Sequence, residues 1–122
     1  MKGKIGLAVL VLGLLFWPTA AQTVHQIVLT WNASTTTGVN YNVYRGTVTG
    51  GPYTKITGSP VTALTYADTN GTGGTKYFYV VTAICMASCP AGISGESGFS
   101  GEASATFLAA PAAPAGLQAV SQ

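Results

Sequence analysis

Short runs in which apolar and polar residues alternate recur along this chain, and they restrict its fold more than any other feature. There are six such runs, and no stretch after the first 21 residues has the period of a helix. Gly, Pro, Asn, Ser and Thr fill the intervals, as expected for turns. Short strands joined by such loops predict an all-β antiparallel sandwich. The predicted strands cover residues 27–31, 41–45, 53–56, 63–67, 76–84 and 102–107.

The first 21 residues are predicted to be a signal peptide, which we exclude from the fold. Lys2 and Lys4 form a short basic region, an apolar run follows, and small residues precede Gln22. The apolar run of 13 residues, 5–17, is shorter than the ~20 needed to cross a bilayer, which favours a cleaved leader over a retained membrane helix. We therefore expect a secreted chain, extracellular or at the cell surface, with no membrane association in its mature form.

The predicted mature chain carries no net charge. The +2 of the whole chain comes from the two lysines of the leader, because the remaining three basic and three acidic residues cancel: Arg45, Lys55, Lys76, Asp68, Glu96 and Glu102. Such a chain presents no basic surface for nucleic acid or anionic lipid, so we expect no nucleic-acid partner. Charged residues make up 7% of the chain, against a usual ~25%. A surface so poor in charge is weakly protected against self-association.

Cys85 and Cys89 are the only cysteines, and both lie in the part predicted to be exported. A disulfide between them is the expected state in an oxidising compartment. Three residues separate the two thiols, so the pair does not form a CxxC redox motif. A metal site would need further ligands, and His25 is the only histidine. We expect neither a metal nor another cofactor.

Few residues of the chain are suited to catalysis, and we predict that it is not an enzyme. His25 lies at the start of a predicted strand, with no nucleophile or orienting acid placed beside it. Asp68, Glu96 and Glu102 are scattered over loops and a strand start, and no two of them form an evident acid–base pair. Asp68 and Asn70 resemble the start of a calcium loop, but the later bidentate acid is absent, which favours a simple turn.

Five motifs follow one another in an order and spacing that are specific, although each motif alone is weak. They read LTWNAS at 29–34, YNVYRG at 41–46, GGPYTK at 50–55, YAD at 66–68 and GTKYFYVVTA at 74–83. Together they cover most of residues 25–107 and resemble a bacterial fibronectin type III module. The resemblance implies an immunoglobulin-like antiparallel β-sandwich. It also implies a core with Trp31 as its tryptophan, Tyr77 as the tyrosine-corner residue, and Tyr41, Val43, Tyr79 and Val81 beside them.

The chain departs from the fibronectin type III pattern at two places. The first strand of the fold is missing before residues 27–31, and the loop 85–99 between the last two strands is lengthened. The C-terminal residues 114–122, PAGLQAVSQ, resemble the missing strand. A sandwich without its first strand exposes unpaired backbone groups, with which another chain can pair. The predicted division is therefore a signal peptide at 1–21, a sandwich at 22–108, and an Ala/Pro linker with a strand-like tail at 109–122.

Several alternatives fit the tail. The linker 108–113 reaches ~20 Å when extended, whereas a strand of nine residues spans ~30 Å, which disfavours closure onto its own sandwich in the family direction. The tail can instead be donated to a second copy, with Leu117 and Ala119 covering the core beside Ile27 and Leu29. Repetition of that contact would build a head-to-tail filament. The start of a second module, or a frayed end, stays open.

The sequence as a whole predicts a secreted, non-enzymatic β-sandwich with a structural or cell-adhesion role, self-associating by exchange of its C-terminal strand. The alternatives are a truncated multi-module protein, or an accessory module that binds carbohydrate or a protein partner through the loop 85–99. Tyr44, Tyr53 and Phe99 are the candidate aromatic contacts for a carbohydrate. We also expect that loop to cover an apolar outer face of the strand 76–84.

Overall fold

The computed structural model describes residues 25–122, so the predicted signal peptide lies outside the described residues. Within this range the chain forms strands and no helix, and thus has no helix that could cross a membrane. The predicted antiparallel all-β fold is confirmed. The strands are β1 (Ile27–Thr30), β2 (Val39–Gly46), β3 (Thr54–Lys55), β4 (Thr65–Asp68), β5 (Lys76–Cys85) and β6 (Ala103–Thr106).

The strands form two sheets. One consists of β1 and β4, and the other has the order β3-β2-β5-β6, with every pair antiparallel. The longest pairing joins β2 to β5 from Val39 opposite Cys85 to Gly46 opposite Phe78. Tyr, Phe and Val dominate β5, as expected of a central strand. β3 has two residues where four were predicted, because alternation marks a strand without showing where its partner's hydrogen bonds end.

The core lies between the two sheets. Five buried residues form its centre: Ile27, Val43, Tyr77, Tyr79 and Phe107. Six partly buried side chains pack around them: Leu29, Trp31, Ile56, Tyr66, Val81 and Ala105. The alternation in β1 directs its apolar side chains to this core, since Val28 and Thr30, on the other face, are exposed.

An ion pair joins the two sheets inside the sandwich. Arg45 on β2 donates two hydrogen bonds to the carboxylate of Asp68 on β4, at 2.8 and 3.1 Å. The hydroxyl of Tyr79 donates to the same carboxylate at 2.7 Å, and the guanidinium lies 4.6 Å from the ring centre of Tyr77. Burial opposes ionisation of Asp68, but the hydrogen bonds from Tyr79 and Arg45 outweigh it and lower the pKa of that carboxyl.

The end of the sandwich from which the C-terminal segment leaves is closed by the loop between β4 and β5. The hydroxyl of Tyr77 accepts the backbone N–H of Thr72 at 2.9 Å. The backbone of Phe107 exchanges hydrogen bonds with this loop, accepting from Gly74 at 2.8 Å and donating to Thr75 at 3.0 Å. The tail therefore begins at this pole, which is also where β1 starts, because Ile27 pairs with the last residue of β4.

Candidate functional site

The segment between β5 and β6, residues 86–102, is an irregular continuation of the sheet, whereas the sequence predicted a loop. Backbone N–H groups of Ser97 and Ser100 donate to the carbonyls of Ala83 and Val81 at 2.8 and 2.9 Å. In return, the hydroxyls of the two serines accept the N–H groups of Ala83 and Val81, each at 2.9 Å. The segment thereby supplies hydrogen-bond partners to the part of β5 that β6 does not reach, since β6 pairs with β5 only from Lys76 to Tyr79.

A disulfide between Cys85 and Cys89 lies at the start of this segment, with Cα atoms 5.8 Å apart. The N–H of Met86 donates to the carbonyl of Gly38 at 3.3 Å, which joins the turn to the chain that precedes β2. Gly38 has a φ of +78°, and a Cβ there would lie 2.4 Å from the carbonyl oxygen of Ser88. Only glycine therefore fits this contact.

Glu96 fixes the segment over the outer face of β2 and β5. Its carboxylate accepts hydrogen bonds from the Tyr44 hydroxyl at 2.5 Å, from the Asn42 amide at 3.2 Å and from the Thr82 hydroxyl. Alternation places Asn42 and Thr82 on the outer face, yet they are only 1% and 3% exposed. The hydrogen bonds from Thr82 and then Tyr44 lower the pKa of Glu96, so the carboxylate stays charged at neutral pH.

A second carboxylate joins the end of the segment to the loop between β2 and β3. Glu102 accepts hydrogen bonds from the Thr49 hydroxyl at 2.7 Å, from the Gly50 N–H at 2.8 Å and from the Tyr53 hydroxyl. The hydrogen bond with Tyr53 is the main reason why the pKa of Glu102 is lowered and that of Tyr53 is raised. This loop and the segment therefore hold each other in place at the surface.

An aromatic cluster open to solvent lies between these two carboxylates. Phe99 is 56% exposed, and its ring centre is 5.2 Å from that of Tyr44 and 5.3 Å from that of Tyr53. We call these three aromatic residues, together with Glu96 and Glu102, the Phe99 patch. The ring of Phe99 is inclined by 67° to that of Tyr44 and by 76° to that of Tyr53, so the three rings form a ridge and not a flat platform. Such a ridge offers one exposed apolar ring beside fixed hydrogen-bonding oxygens.

A separate cleft of about 230 Å³ opens between the two sheets beyond the end of β1. We call it the Trp31 cleft; apolar parts of Trp31, Tyr41, Val81 and Ala83 line it, with Ser97 and Ser100 among the polar residues at its sides. The rings of Trp31 and Tyr41 meet edge-on at 5.6 Å. The indole Nε1 of Trp31 is buried, and no acceptor among the described residues reaches it. An unpaired buried N–H costs about 1–3 kcal/mol.

Among residues 25–122, one edge of β1 has backbone groups with no partner strand, next to this cleft. The N–H of Trp31 donates to the carbonyl of Leu64 at 3.1 Å, on the β4 side. Backbone groups of successive residues in an antiparallel strand point to opposite sides, so those of Val28 and Thr30 face away from β4. Within residues 25–122 no strand pairs with that edge.

The structure brings some of the predicted site residues together and leaves others apart. Of the six predicted core residues, Tyr41, Val43, Tyr77 and Tyr79 are buried, while Trp31 and Val81 are half-buried. The predicted acceptor residues Ile27 and Leu29 are buried and half-buried, and the predicted donor residues Leu117 and Ala119 are exposed. Residues 108–122 form no strand. On the outer face of β5, Val80 is buried, while Phe78 and Ile84 are half-buried.

The hydrogen bonds of Glu96 and Glu102 were not evident from the sequence, which showed the two residues only as scattered acids. Their partners lie about 50 residues away, at Asn42 and Tyr53 for example, and no local pattern connects such positions. His25 precedes β1, and no acid or nucleophile among the described residues hydrogen-bonds to it. The described residues also contain no cluster of three or more metal-ligating side chains.

No family model matches the chain, but the chain is similar to segments of amylopullulanases and to a solved structure. The chain is 40% identical over 88 residues to an amylopullulanase from Thermoanaerobacterium saccharolyticum, and 43% over 76 residues to one from Thermoanaerobacterium thermosulfurigenes. These matches cover 72% and 62% of the chain but only 6% and 4% of the two amylopullulanases. The crystal structure of an Fn3-like protein from Clostridium thermocellum matches with a TM-score of 0.51 and 40% identity, over 75% of this chain and 82% of that one.

Proposed function

This chain belongs to the fibronectin type III-like family, and on that premise we propose that it is a secreted, non-enzymatic accessory module that binds carbohydrate for a polysaccharide-degrading system. Its similarity to short segments of amylopullulanases supports this role. The chain spans 6% or less of the length of those enzymes. The proposal therefore assigns to this chain a supporting role and not the hydrolytic activity of those enzymes. Export through residues 1–21 belongs to the same proposal.

The Phe99 patch is the observation that carries this proposal. Phe99 is held between two tyrosines whose hydroxyls donate to Glu96 and Glu102, so the exposed ring is fixed before any ligand arrives. Fixed contact groups lower the entropic cost of binding. A sugar ring can place its C–H face on the phenyl ring while its hydroxyls donate to the neighbouring carboxylates.

The first ligands to test are α-linked glucans, because the relatives are named as amylopullulanases. Electrophoresis of the native protein through gels that contain amylopectin or pullulan measures such binding directly. We expect both polysaccharides to retard the protein relative to a gel without polysaccharide. A gel with hydroxyethylcellulose tests whether the linkage matters.

The substitution Phe99→Ala should remove most of the retardation, with at least tenfold weaker binding, because the exposed ring supplies the apolar contact. Val28→Ala is the matched control: Val28 is also 56% exposed but lies on the other sheet. We expect Val28→Ala to migrate like the unmodified chain. If none of the three proteins is retarded relative to the gel without polysaccharide, the proposed carbohydrate binding is contradicted. If all three are retarded equally, binding does not involve Phe99.

Head-to-tail self-association through the C-terminal strand is a second candidate function. The edge of β1 that no strand of residues 25–122 pairs favours it, as do Leu117 and Val120, which are 96% and 74% exposed. An assembly of this kind would give the module a structural or adhesive role. Light scattering over a range of protein concentrations tests it, since the mass of an associating chain rises with concentration.

A further inference from the structure

We infer that the Trp31 cleft and the adjoining edge of β1 form a receptor for an extended strand, and that the occupant is the segment 116–120 of a second copy of this chain. The inference rests on the second candidate function and names the two surfaces that would meet. Its pairing edge, β1, belongs to the other sheet from Tyr44, while Ser97 and Ser100 beside Phe99 also line the cleft, so carbohydrate binding and strand docking are tested with separate substitutions.

The backbone of β1 supplies the directional part of this receptor. Val28 and Thr30 point their N–H and C=O groups outward, ready for a further antiparallel strand. β4 also has an outer edge, to which Thr65 and Ala67 direct their backbone groups. The Trp31 cleft distinguishes the two edges, because no residue of β4 lines it. A strand docked on β1 can therefore bury side chains that a strand docked on β4 would leave exposed.

The cleft itself supplies the apolar part. Its volume of about 230 Å³ accommodates a leucine side chain between Trp31 and Val81. On the opposite side of the cleft, the outward N–H groups of β5 already donate to the hydroxyls of Ser97 and Ser100, so β5 cannot pair with a further strand there. This leaves β1 as the pairing surface.

The C-terminal segment fits such a receptor in composition and spacing. Leu117 and Ala119 are two residues apart and share one face of an extended strand. Residues 108–122 contain no charged side chain, so no charge would have to be desolvated on docking. Pro111 and Pro114 keep the preceding linker extended. The exposed fraction of Leu117, 96%, means that the segment loses no existing contact when it docks.

The direction of the chain favours a second copy over the tail's own cleft. The tail leaves beside Gly73, where a Cβ on that glycine would lie 3.1 Å from the Cα of Ala109. This is the pole at which β1 begins, whereas an antiparallel partner of β1 must enter at the Trp31 end. A second copy stacked on this pole would present its Trp31 end to the emerging tail. Each copy then donates one strand and accepts one, a heterologous contact that repeats.

The donor side is tested with the full chain, exported into an oxidising compartment and examined by size exclusion with light scattering over a hundredfold range of concentration. We expect the mass to rise in steps of one chain. Leu117→Asp should stay at the mass of one chain at every concentration, because a carboxylate cannot enter the cleft. Ala112→Asp adds the same charge in the linker and should assemble like the unmodified chain. Both positions are exposed, so neither substitution disturbs the sandwich.

The acceptor side is tested with two proline substitutions at positions that face each other. Val28 and Ala67 are cross-strand partners whose N–H groups point to opposite outer edges, so proline at either position removes no bond between β1 and β4. We expect Val28→Pro to abolish assembly and Ala67→Pro to leave it unchanged. An equimolar mixture of Val28→Pro and Leu117→Asp should give a dimer and nothing larger, since it contains one functional donor and one functional acceptor. That dimer also shows that the Val28→Pro chain is folded.

Four results would overturn the inference. Assembly that survives both Leu117→Asp and Val28→Pro would place self-association at another surface, and the second candidate function would stand without this receptor. Loss of assembly in Ala67→Pro but not in Val28→Pro would move the receptor to β4. Single chains at all concentrations would overturn the receptor and self-association together. Single chains whose Trp31 fluorescence changes with Leu117→Asp would show that the tail fills its own cleft.

Discussion

Asp68 remains charged inside the sandwich because its carboxylate accepts hydrogen bonds from two side chains of the facing sheet and from one backbone N–H of the loop that follows it. Arg45 and Tyr79 donate from the facing sheet, and the N–H of Asn70 donates at 3.1 Å. The sequence suggested a turn residue here, since a carboxylate followed by Asn and Gly is typical of turns. It did not show that the side chain points inward, because Arg45 lies 23 residues away along the chain.

Replacement of Asp68 by Asn should therefore destabilise the fold by about 2 kcal/mol, since Arg45 keeps its charge in a half-buried position and loses its partner. Urea denaturation followed by Trp31 fluorescence measures this change. Glu102→Gln, at an exposed carboxylate, is the control and should lower the midpoint much less than Asp68→Asn, because an exposed charge contributes little to stability. Equal midpoints for Asp68→Asn and the unmodified chain would mean that the ion pair adds nothing to stability.

The carboxylates also set how stability depends on pH. The folded pKa values of Asp68, Glu96 and Glu102 are all lowered, by hydrogen bonds that outweigh burial. A lowered folded pKa contributes stability above the unfolded value and loses it as the pH falls towards the folded one. We expect the free energy of unfolding to be constant from pH 7 to about 5, and to fall below about pH 4, where unfolded Asp and Glu take up protons. Urea midpoints at pH 7, 5 and 3 test this, and a higher midpoint at pH 3 than at pH 7 would contradict it.

At the scale of elements, the strands were predictable and the segment 86–102 was not. Alternation is a local property, so β1, β2 and β5 were located to within about two residues. The segment has no alternation, and its position depends on Glu96 and on the hydroxyls of Ser97 and Ser100, which contact residues distant in sequence. The Phe99 patch could therefore be predicted only in part. Its three aromatic residues were proposed from the sequence, while the two carboxylates that accept hydrogen bonds from its tyrosines were not.

Close packing at one glycine determines how the last strand meets the loop before β5. A Cβ on Gly71 would lie 2.0 Å from the ring of Phe107, which is buried in the core. Gly71→Ala should therefore destabilise the fold by about 2 kcal/mol, because the ring must move in a filled core. Gly58→Ala is the matched control, since a Cβ there meets nothing within 4 Å. Thermal denaturation compares the two, and a shared melting temperature would show that Phe107 moves without cost.

At the scale of the whole molecule, the sandwich and the tail differ in what holds them. Residues 27–107 contain all six strands and the complete core, whereas residues 109–122 are exposed throughout. The tail therefore buries little surface in the single chain, and any larger contribution to stability depends on a partner. Assembly can therefore be measured through stability. A strand that binds only the folded state raises the free energy of unfolding in proportion to the logarithm of the strand's concentration.

The melting temperature of the full chain should consequently rise with protein concentration, while that of a chain ending at residue 108 should not. Once the receptor is mostly filled, each tenfold increase in concentration adds about 1.4 kcal/mol, which raises the melting temperature of a domain of this size by about 5–10 °C. Scanning calorimetry of both chains at three concentrations measures the difference. Leu117→Asp in the full chain is the control and should behave like the shortened chain. Parallel, concentration-independent transitions for all three would mean that the tail stabilises no neighbouring copy.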